Sequence, residues 1–378
     1  MKNGDLRRVE KEFPVCSYCG ACAAFVPYFD QFRKDDAMTK KGCMGYSNQG
    51  VCYAICPKSY SVCSEDRGEC IRKDYGNCNL NLAYSLNGDS HIDMGYYEDI
   101  ISTRAKDEDF LKMGQGGGVV TALLDLAIRK GIIDSAVVAD KSKEEPWRPE
   151  PKIATNREEI LKASGSKYSA CPSILGVWNA IDQGYEKIAL VGTPCNIEAM
   201  RNIQSLHDVN LQADRVKISI GLFCTEVFWY YDLIQYLGEI GVNIKDVTKF
   251  DISKGKFTIY NTNSKKDIPL RELDPFVRSS CKICNDFTSE FADISAGSLG
   301  SDEGWITLIV RSKIGKELVD LAIDEGVIET RTISKESISK IKKFSMNKKM
   351  NNWGNLLKQV DYCASCNSNP VPSSLLVN

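Results

Sequence analysis

Sixteen cysteines, and the way they are distributed, constrain this 378-residue chain more than any other feature. Nine of them lie between residues 16 and 78, where long periodic apolar segments are lacking, and the whole chain has only two His. So few histidines disfavour zinc or iron sites built on imidazole, and they leave little basis for a histidine triad. Thiols concentrated where there is little core indicate a region held by metal sites rather than by packing.

The first cysteines have the spacing of an iron–sulfur site. Cys16, Cys19 and Cys22 form a C-x2-C-x2-C motif, and Cys56 directly precedes a proline. Three thiolates at this spacing wrap three corners of a [4Fe-4S] cluster, and a distant cysteine before proline supplies the fourth ligand. Soft thiolate ligands suit iron–sulfur chemistry, and a zinc knuckle is the alternative.

The fourth ligand of this N-terminal site stays open at the level of sequence. Cys43 and Cys52 are alternatives to Cys56, and Val26 stands where a two-cluster ferredoxin has a further cysteine. We therefore predict a ferredoxin-like iron–sulfur region over residues 1–85 in which the pattern for one cluster is intact. The remaining cysteines are either free thiols or ligands of a further site formed if the tail folds back: Cys63, Cys70, Cys78, Cys363 and Cys366.

The overall composition is that of an ordinary globular protein. Hydrophobic residues make up 43% and charged residues 26%, and a formal net charge of -2 gives no reason to expect nucleic acid as a partner. The N-terminus has no apolar segment typical of a secretory signal, and no run of 18 apolar residues predicts a membrane span. We therefore expect a cytoplasmic protein whose cysteines bind metal or react, rather than form structural disulfides.

Strands alternate with helices from about residue 110 onwards. The predicted strands cover residues 135–140, 187–193, 216–224, 256–260, 291–295 and 305–312. The predicted helices cover residues 119–131, 155–163, 172–184, 194–204, 228–241 and 313–326. Such alternation predicts an α/β domain with a largely parallel or mixed sheet covered on both faces. We place this domain at residues 86–350 and a C-terminal tail with a CxxC pair at residues 351–378.

A second group of cysteines falls at strand ends and in one loop of this domain. Cys195 follows a predicted strand at a helix start, where the helix N-terminus stabilises a thiolate. Cys224 ends another strand, and Cys281 and Cys284 form a CxxC loop. Strand ends and a loop can converge at one edge of a sheet, and four thiolates there would hold a second [4Fe-4S] cluster. A redox-active or zinc-binding CxxC beside two core cysteines is the alternative.

Three glycine-rich turns accompany the predicted elements. Residues 114–118 precede a helix, where glycines let backbone N–H groups approach a phosphate. Similar turns occur at residues 165–169 and 297–301. The turn at residues 114–118 has the spacing of neither a Rossmann nor a Walker loop. Three such turns in one α/β domain suggest a nucleotide-type cofactor held by loops, and plain flexible loops are the alternative.

Several segments occur together in a recognisable order. They are QGGGVVTALLDLAIRKGIIDSAVV, GSKYS, VGTPCNIEAMR, GLFC and CKICNDFTSEFADISAGSLGSDEGWITLIVR, and they cover roughly residues 110–315. In this order they resemble the family of coenzyme F420 hydrogenase/dehydrogenase beta subunits. That family includes subunits of hydrogenases, formate dehydrogenases and membrane complexes, as well as reductases of chlorophyll-type substrates.

The resemblance implies two kinds of cofactor. It implies a [4Fe-4S] cluster on Cys195, Cys224, Cys281 and Cys284, and non-covalent FAD in an α/β domain without a Rossmann loop. With the N-terminal cluster this makes two clusters, and a third remains open. No catalytic side chain is implied, because the chemistry takes place at FAD N5. The implied FAD contacts are Gly116, Gly117, Gly118, Val119, Thr121, Ser166, Lys167, Tyr168 and Asn196.

The resemblance also implies a function. Hydride would pass between coenzyme F420 and FAD, and single electrons would pass through the clusters to or from a larger oxidoreductase subunit or a ferredoxin-like carrier. Basic residues suited to the acidic tail of coenzyme F420 are Lys167, Lys254, Lys256 and Arg278. One alternative is a ferredoxin-dependent FAD and iron–sulfur reductase of an organic substrate. Another is a zinc-organised binding protein without catalysis.

Overall fold

The computed structural model describes residues 16–21, 24, 55–58, 93–205, 212–262 and 264–364, and for residues 353, 354 and 356–364 it describes the backbone alone. Most of the predicted iron–sulfur region at residues 1–85 therefore lies outside the described residues. The cysteines whose side chains fall outside them are Cys22, Cys43, Cys52, Cys63, Cys70, Cys78, Cys363 and Cys366.

Eleven strands form two sheets in the part of the chain that the structure describes. The strands are β1 (Asp99–Ala105), β2 (Ser135–Lys141), β3 (Pro149–Ala154), β4 (Ile188–Gly192), β5 (Val216–Leu222), β6 (Val247–Ser253), β7 (Lys256–Asn261), β8 (Lys265–Pro269), β9 (Ile294–Gly297), β10 (Ile306–Val310) and β11 (Ile328–Thr332). The larger sheet has the order β11-β1-β10-β9-β5-β4-β2-β3, and the smaller has the order β6-β7-β8.

The larger sheet is mixed, as the alternation of elements predicts. β2, β4, β5 and β9 pair in parallel, whereas β3 and the group of β10, β1 and β11 are joined in antiparallel. All five residues of β4 are buried, as expected for a parallel strand covered on both faces. Because β4, β5 and β9 run the same way, the segments that follow them leave the sheet at one common edge.

The helices are α1 (Glu108–Met113), α2 (Val119–Arg129), α3 (Arg157–Lys162), α4 (Ser173–Asp182), α5 (Pro194–Gln204), α6 (Tyr230–Glu239), α7 (Lys313–Asp324) and α8 (Lys335–Ala364). Short 3-10 helices include Leu270–Phe276 and Ser279–Ile283. Among the described residues, no helix combines the length and the apolar character that crossing a membrane would require.

Helices cover both faces of the larger sheet, and β2 shows why. Successive side chains of a strand point to opposite faces, so Ala136 and Val138 share one core with α2, α3 and α7, while Val137 belongs to another core with α4 and α5. Leu123 and Leu126 of α2 are fully buried on the first side. The sheet is therefore the middle of three layers, as predicted for this class.

The smaller sheet forms a unit of its own with α6. The rings of Phe250 and Phe257 lie 5.1 Å apart, and the ring of Trp147 packs edge-on against Phe250 at 4.6 Å. Leu233 and Leu237 of α6 are buried in the same cluster. This unit matters for the site because β6 contacts both glycine-rich turns described below.

All six predicted helices are observed, with ends shifted by no more than about two residues. Strands β1, β3, β6, β8 and β11 and helices α1 and α8 were not predicted. The omitted helix α8 is the longest described element, with 30 residues, and it crosses the predicted division at residue 351. The proposed division of the chain into three segments stays a prediction.

A buried ion pair links strands and helices at the centre of the larger sheet. Asp293 accepts hydrogen bonds from Arg201 Nη2 of α5 at 2.8 Å and from the backbone N–H of Ser219 in β5 at 2.7 Å. Its other carboxylate oxygen accepts from Ser312 Oγ at 2.7 Å, and Ser312 caps α7. One carboxylate thus ties β5, α5 and α7 together.

Removing this carboxylate should destabilise the fold strongly. Asp293→Ala removes the acceptor of Arg201 Nη2 and of the buried Ser219 N–H, so we expect a loss of about 3 kcal/mol in the free energy of unfolding. Urea unfolding followed by circular dichroism measures the loss. The control is Asp320→Ala, which breaks the exposed Lys316–Asp320 pair of α7. Equal midpoints for both variants would contradict the role assigned to Asp293.

Candidate functional site

Four cysteines lie at the edge of the larger sheet where its parallel strands end. Cys195 is the second residue of α5, which follows β4 directly, and Cys224 comes two residues after β5. Cys281 lies in the 3-10 helix Ser279–Ile283, and Cys284 follows that helix. The parallel pairing of β4 with β5 brings the first two to one edge.

The four cysteines influence one another electrostatically. Burial raises the pKa of the Cys224 thiol well above its usual value, and the charges of Cys281, Cys195 and Cys284 raise it further. Burial likewise raises the pKa of Cys195 and Cys281. Because such interactions weaken with distance, their mutual influence places the four thiols in one group, called here the four-cysteine site.

Two lysines oppose this effect of burial. Burial by itself raises the pKa of Cys284, but the ammonium groups of Lys348 and Lys58 lower it below its ordinary value. The same two lysines also lower the pKa of Cys195, but the effect of burial is larger there, so the pKa stays raised. Positive charge beside thiols favours the thiolate, which is the form that binds metal.

Soft thiol donors make the four-cysteine site a candidate for a metal centre. Within the described ranges, no three or more His, Cys, Asp or Glu side chains are placed to hold one metal ion. A tetrahedral zinc site needs sulfurs only about 3.8 Å apart, because each Zn–S bond is about 2.3 Å long. In a [4Fe-4S] cluster each thiolate binds a different iron, so the four sulfurs stand farther apart. The donor set, four thiols in one partly buried group, fits such a cluster.

Hydrogen bonds to sulfur are present at both groups of cysteines. The backbone N–H of Val227 donates to Cys281 Sγ at 3.4 Å, and the N–H of Tyr18 donates to Cys16 Sγ at 3.3 Å. Thr193 Oγ1 lies 3.2 Å from Cys195 Sγ. Hydrogen bonds of this kind stabilise thiolates and help to set the potential of iron–sulfur centres.

The N-terminal cysteine segment packs on the α/β domain. The carbonyl of Cys19 accepts a hydrogen bond from the N–H of Ile174 at the start of α4, and Ala21 and Ile55 are buried in the core that includes α4 and α5. Cys16, Cys19 and Cys56 are described, whereas their predicted partner Cys22 is not. Their assignment as ligands stays a prediction.

Arg278 connects the N-terminal segment with the four-cysteine site. Its side chain is only 2% exposed, its guanidinium lies 3.9 Å from the ring of Trp229, and its Nη2 donates to the carbonyl of Cys16 at 3.0 Å. Its own carbonyl accepts from the N–H of Cys281. The sequence suggested Arg278 for the acidic tail of a ligand, but this buried guanidinium is already used to hold Cys16.

The turn at residues 114–118 owes its glycines to close backbone contacts. Gly118 has a φ of +65°, and a Cβ there would lie 2.2 Å from the carbonyl oxygen of Phe110. Gly117 accepts a hydrogen bond from the N–H of Ala105 in β1. The next residue begins α2, whose N-terminus has no side-chain cap. The first-turn N–H groups of α2 are thus suited to an anion.

The second turn lies beside the first because both contact β6. Tyr168 Oη accepts a hydrogen bond from the N–H of Ile252 at 3.0 Å, and Gln115 Nε2 donates to Asp251 Oδ1 at 2.5 Å. These two residues of β6 are adjacent in sequence. The structure therefore brings the segments with the predicted residues Gly116–Thr121 and Ser166–Tyr168 together.

Lys167 has a structural role of its own. Its ammonium is buried and donates to the carbonyls of Ala163, Ser164 and Gly165, and burial lowers its pKa to about 8. An ammonium has three N–H donors, so these three carbonyls use all of them and fix the turn after α3. Its contact with a cofactor remains a prediction.

Asn196 lies in the first turn of α5 and contacts the segment that follows Tyr168. This contact involves Cys171, a cysteine that the sequence analysis did not consider. Asn196 Oδ1 accepts from Thr193 Oγ1 at 2.8 Å, and its Nδ2 donates to the carbonyl of Cys171 at 3.2 Å. Cys171 precedes Pro172, the residue before α4, and burial raises its pKa to about 12. The Cys-Pro dipeptide was the one signal for it. Cys171 lies in the segment before α4, separate from the segments that carry the other four cysteines.

Comparisons with known proteins agree with this architecture. Two family models describe the beta subunit of coenzyme F420 hydrogenase/dehydrogenase. The model of its N-terminal part matches residues 100–175, and the model of its C-terminal part matches residues 185–336. Together they span more than half of the chain. Both end before most of α8, which runs to Ala364.

Curated relatives belong to the same group. The chain is 38% identical over 261 residues to the coenzyme F420 hydrogenase subunit beta of Methanothermobacter thermautotrophicus, covering 68% of this chain and 92% of that protein. It is 29% identical over 316 residues to an F(420)H(2) dehydrogenase subunit of Methanosarcina mazei, covering 82% of this chain and 83% of that protein.

A larger relative aligns with more of the chain. Identity to the coenzyme F420-dependent sulfite reductase of Methanocaldococcus jannaschii is 33% over 348 residues, or 87% of this chain and 49% of that protein. This chain therefore spans about half the length of that relative.

A solved structure shares the fold. A chain of the F420-reducing [NiFe] hydrogenase complex from Methanosarcina barkeri matches with a TM-score of 0.68 and 33% identity, covering 72% of this chain and 94% of that chain. With the family models over residues 100–175 and 185–336, this match shows that the chain belongs to the coenzyme F420 hydrogenase/dehydrogenase beta subunit family.

Proposed function

We propose that this protein is an electron-transfer subunit that links coenzyme F420 to a partner oxidoreductase through FAD and [4Fe-4S] clusters. The observation that carries the proposal is the convergence of Cys195, Cys224, Cys281 and Cys284 at the edge where the parallel strands end. Family membership supports the link to coenzyme F420, because the relatives that name a ligand name this one.

The cofactor residues proposed for FAD surround one region of the domain. The N-terminus of α2 offers N–H groups to a phosphate, and Gly116, Gly117 and Gly118 leave room for a close approach of the backbone. Tyr168 and Asn196 are fixed by hydrogen bonds to neighbouring elements and so are ordered before a ligand binds. When bound, FAD exchanges a hydride with coenzyme F420 and single electrons with an iron–sulfur cluster.

The N-terminal cysteines are proposed to serve a second cluster that faces the partner. Cys16 is held by Arg278, three residues before Cys281, so the two cysteine groups are adjacent. The charge of Lys58, two residues after Cys56, lowers the pKa of Cys195 and Cys284, which supports this arrangement. The proposed partner is a larger oxidoreductase subunit or a ferredoxin-like carrier.

Anaerobic titration with reduced coenzyme F420 tests the function as a whole. We expect both the flavin band and the broad iron–sulfur band in the absorbance spectrum to bleach as reductant is added. Bands that are present but do not respond would contradict the F420 assignment and favour a ferredoxin-dependent reductase of an organic substrate. A protein that shows neither band after anaerobic reconstitution with iron, sulfide and FAD would contradict both.

The four-cysteine site is tested by counting iron. Cys281→Ser removes one proposed ligand, and we expect the purified protein to lose about four iron atoms per chain, the content of one [4Fe-4S] cluster. Cys171→Ser is the matched control, because Cys171 is also a partly buried thiol but lies in a different segment, before α4. An equal iron content in both variants would contradict the proposed ligand set.

The flavin site is tested at the turn before α2. Gly118→Ala forces the turn to move, since a Cβ would lie 2.2 Å from the Phe110 carbonyl oxygen, so we expect less flavin per chain when the protein is denatured and its flavin released. Gly238→Ala in α6 is the control, because nothing lies within 4 Å of a Cβ at that position. Unchanged flavin in Gly118→Ala, with a folded protein by circular dichroism, would argue against this turn as the binding site.

A further inference from the structure

Helix α8 presents three polar residues to the four-cysteine site. Lys348, Asn352 and Asn355 are spaced by four and three residues, which puts their side chains on one face of a helix. That face packs against the 3-10 helix Ser279–Ile283, which carries Cys281. Because both family models end at or before residue 336, these residues lie outside the segments that define the family.

Asn352 and Asn355 hold the loop between the two cysteines of the CxxC motif. Asn352 Nδ2 donates to the carbonyl of Cys281 at 3.0 Å and to that of Cys284 at 2.6 Å. Asn355 Nδ2 donates to the carbonyl of Lys282 at 3.1 Å. The loop is thus fixed from the side of α8 through its backbone carbonyls, which orients the two thiols.

Lys348 forms hydrogen bonds with two backbone carbonyls at the four-cysteine site. Its Nζ donates to the carbonyl of Cys224 at 2.7 Å and to that of Asp286 at 2.8 Å. Asp286 lies two residues after Cys284, and its carbonyl also lies 3.6 Å from Cys284 Sγ. One ammonium therefore joins the segment of Cys224 to the segment of Cys284.

The charge of Lys348 is buried beside the thiols. The residue is only 8% exposed, and its Nζ donates to two backbone carbonyls, which accept from the ammonium form and keep it in place. The neighbouring Lys349 instead forms a buried ion pair with Glu290, with its Nζ 2.5 Å from Glu290 Oε1.

We propose that Lys348 is a positioning and charge-balancing residue of the four-cysteine site, and that its ammonium raises the reduction potential of the cluster bound there. The inference rests on the proposed function, since it requires a cluster on these cysteines. Reduction adds one negative charge to the cluster, and a fixed positive charge in a poorly solvated site stabilises the reduced form more than the oxidised form. The carbonyl contacts keep that charge in place.

The test compares charge with hydrogen bonding at one position. Lys348→Gln keeps donors but removes the charge, whereas Lys348→Arg keeps both. Lys343→Gln, an exposed lysine of the same helix, makes the same change in net charge away from the site. For each anaerobically purified full chain we measure iron content, and then the midpoint potential of the cluster by a redox titration followed by electron paramagnetic resonance.

The expected result is a shift in Lys348→Gln alone. At a fixed potential, the ratio of reduced to oxidised cluster should fall about tenfold, which equals about 59 mV for one electron. Lys348→Arg and Lys343→Gln should titrate with the unchanged protein. Loss of the cluster in Lys348→Gln, with the cluster kept in Lys348→Arg, also supports the role of the charge.

Two outcomes overturn the proposal for Lys348, and a third overturns the proposed function on which it rests. Equal potentials in Lys348→Gln and Lys343→Gln would show that the ammonium does not act on the cluster. Equal loss of the cluster in Lys348→Gln and Lys348→Arg would show that the charge is not what matters. If the unchanged protein has no cluster at the four-cysteine site, the proposed function fails first, and the iron count reveals this before any potential is compared.

Discussion

The parallel pairing of β4, β5 and β9 is the constraint on which the candidate site depends. Parallel strands end at the same edge of a sheet, so the segments after β4 and β5 must leave side by side. Cys195 and Cys224 lie in those two segments, 29 residues apart in sequence yet in one group in space. Asp293 maintains this arrangement from within the sheet, because its carboxylate joins β5 to α5.

Buried cations that bind backbone carbonyls hold the loops of this protein in place. Lys167 closes the turn after α3, Lys348 joins two cysteine segments, and Arg278 anchors the carbonyl of Cys16. Arg311 does the same near the start of β1, where it donates to the carbonyls of Met94 and Tyr96. Irregular segments lack the regular backbone hydrogen bonds of helices and sheets, so their carbonyls need other donors. One ammonium or guanidinium can donate to several carbonyls at once.

The elements that the sequence revealed are those in which local pattern and burial agree. Helix α2 has a continuous apolar face and a glycine stop, and helix α5 begins with proline after a strand, so both were predicted with nearly their observed ends. The sequence also indicated the four ligand candidates, because cysteines at predicted strand ends and in a CxxC motif can be recognised from residue type and spacing. Their ability to hold a cluster remains a proposal.

The elements that escaped prediction are stabilised mainly by tertiary contacts. The edge strand β11 is exposed over most of its length, so it lacks an apolar pattern. Helix α8 is rich in Lys and Asn, which resembles a solvated tail in the sequence. Only the folded chain shows that Lys348 and Asn352 point at backbone carbonyls of the cysteine loops. Lys167 and Arg278 were named as candidates for the acidic tail of coenzyme F420, and their burial likewise follows from packing.

Residue type and spacing along the chain are local properties, so the sequence alone indicated the α/β class, a largely parallel or mixed sheet, the cysteine motifs and the family resemblance. The distances between segments far apart in the chain are not local, because they depend on how strands pair and which helix face packs inward. The tertiary structure alone therefore showed the grouping of the cysteines, the contact of both glycine turns with β6, and the place of α8 beside the site.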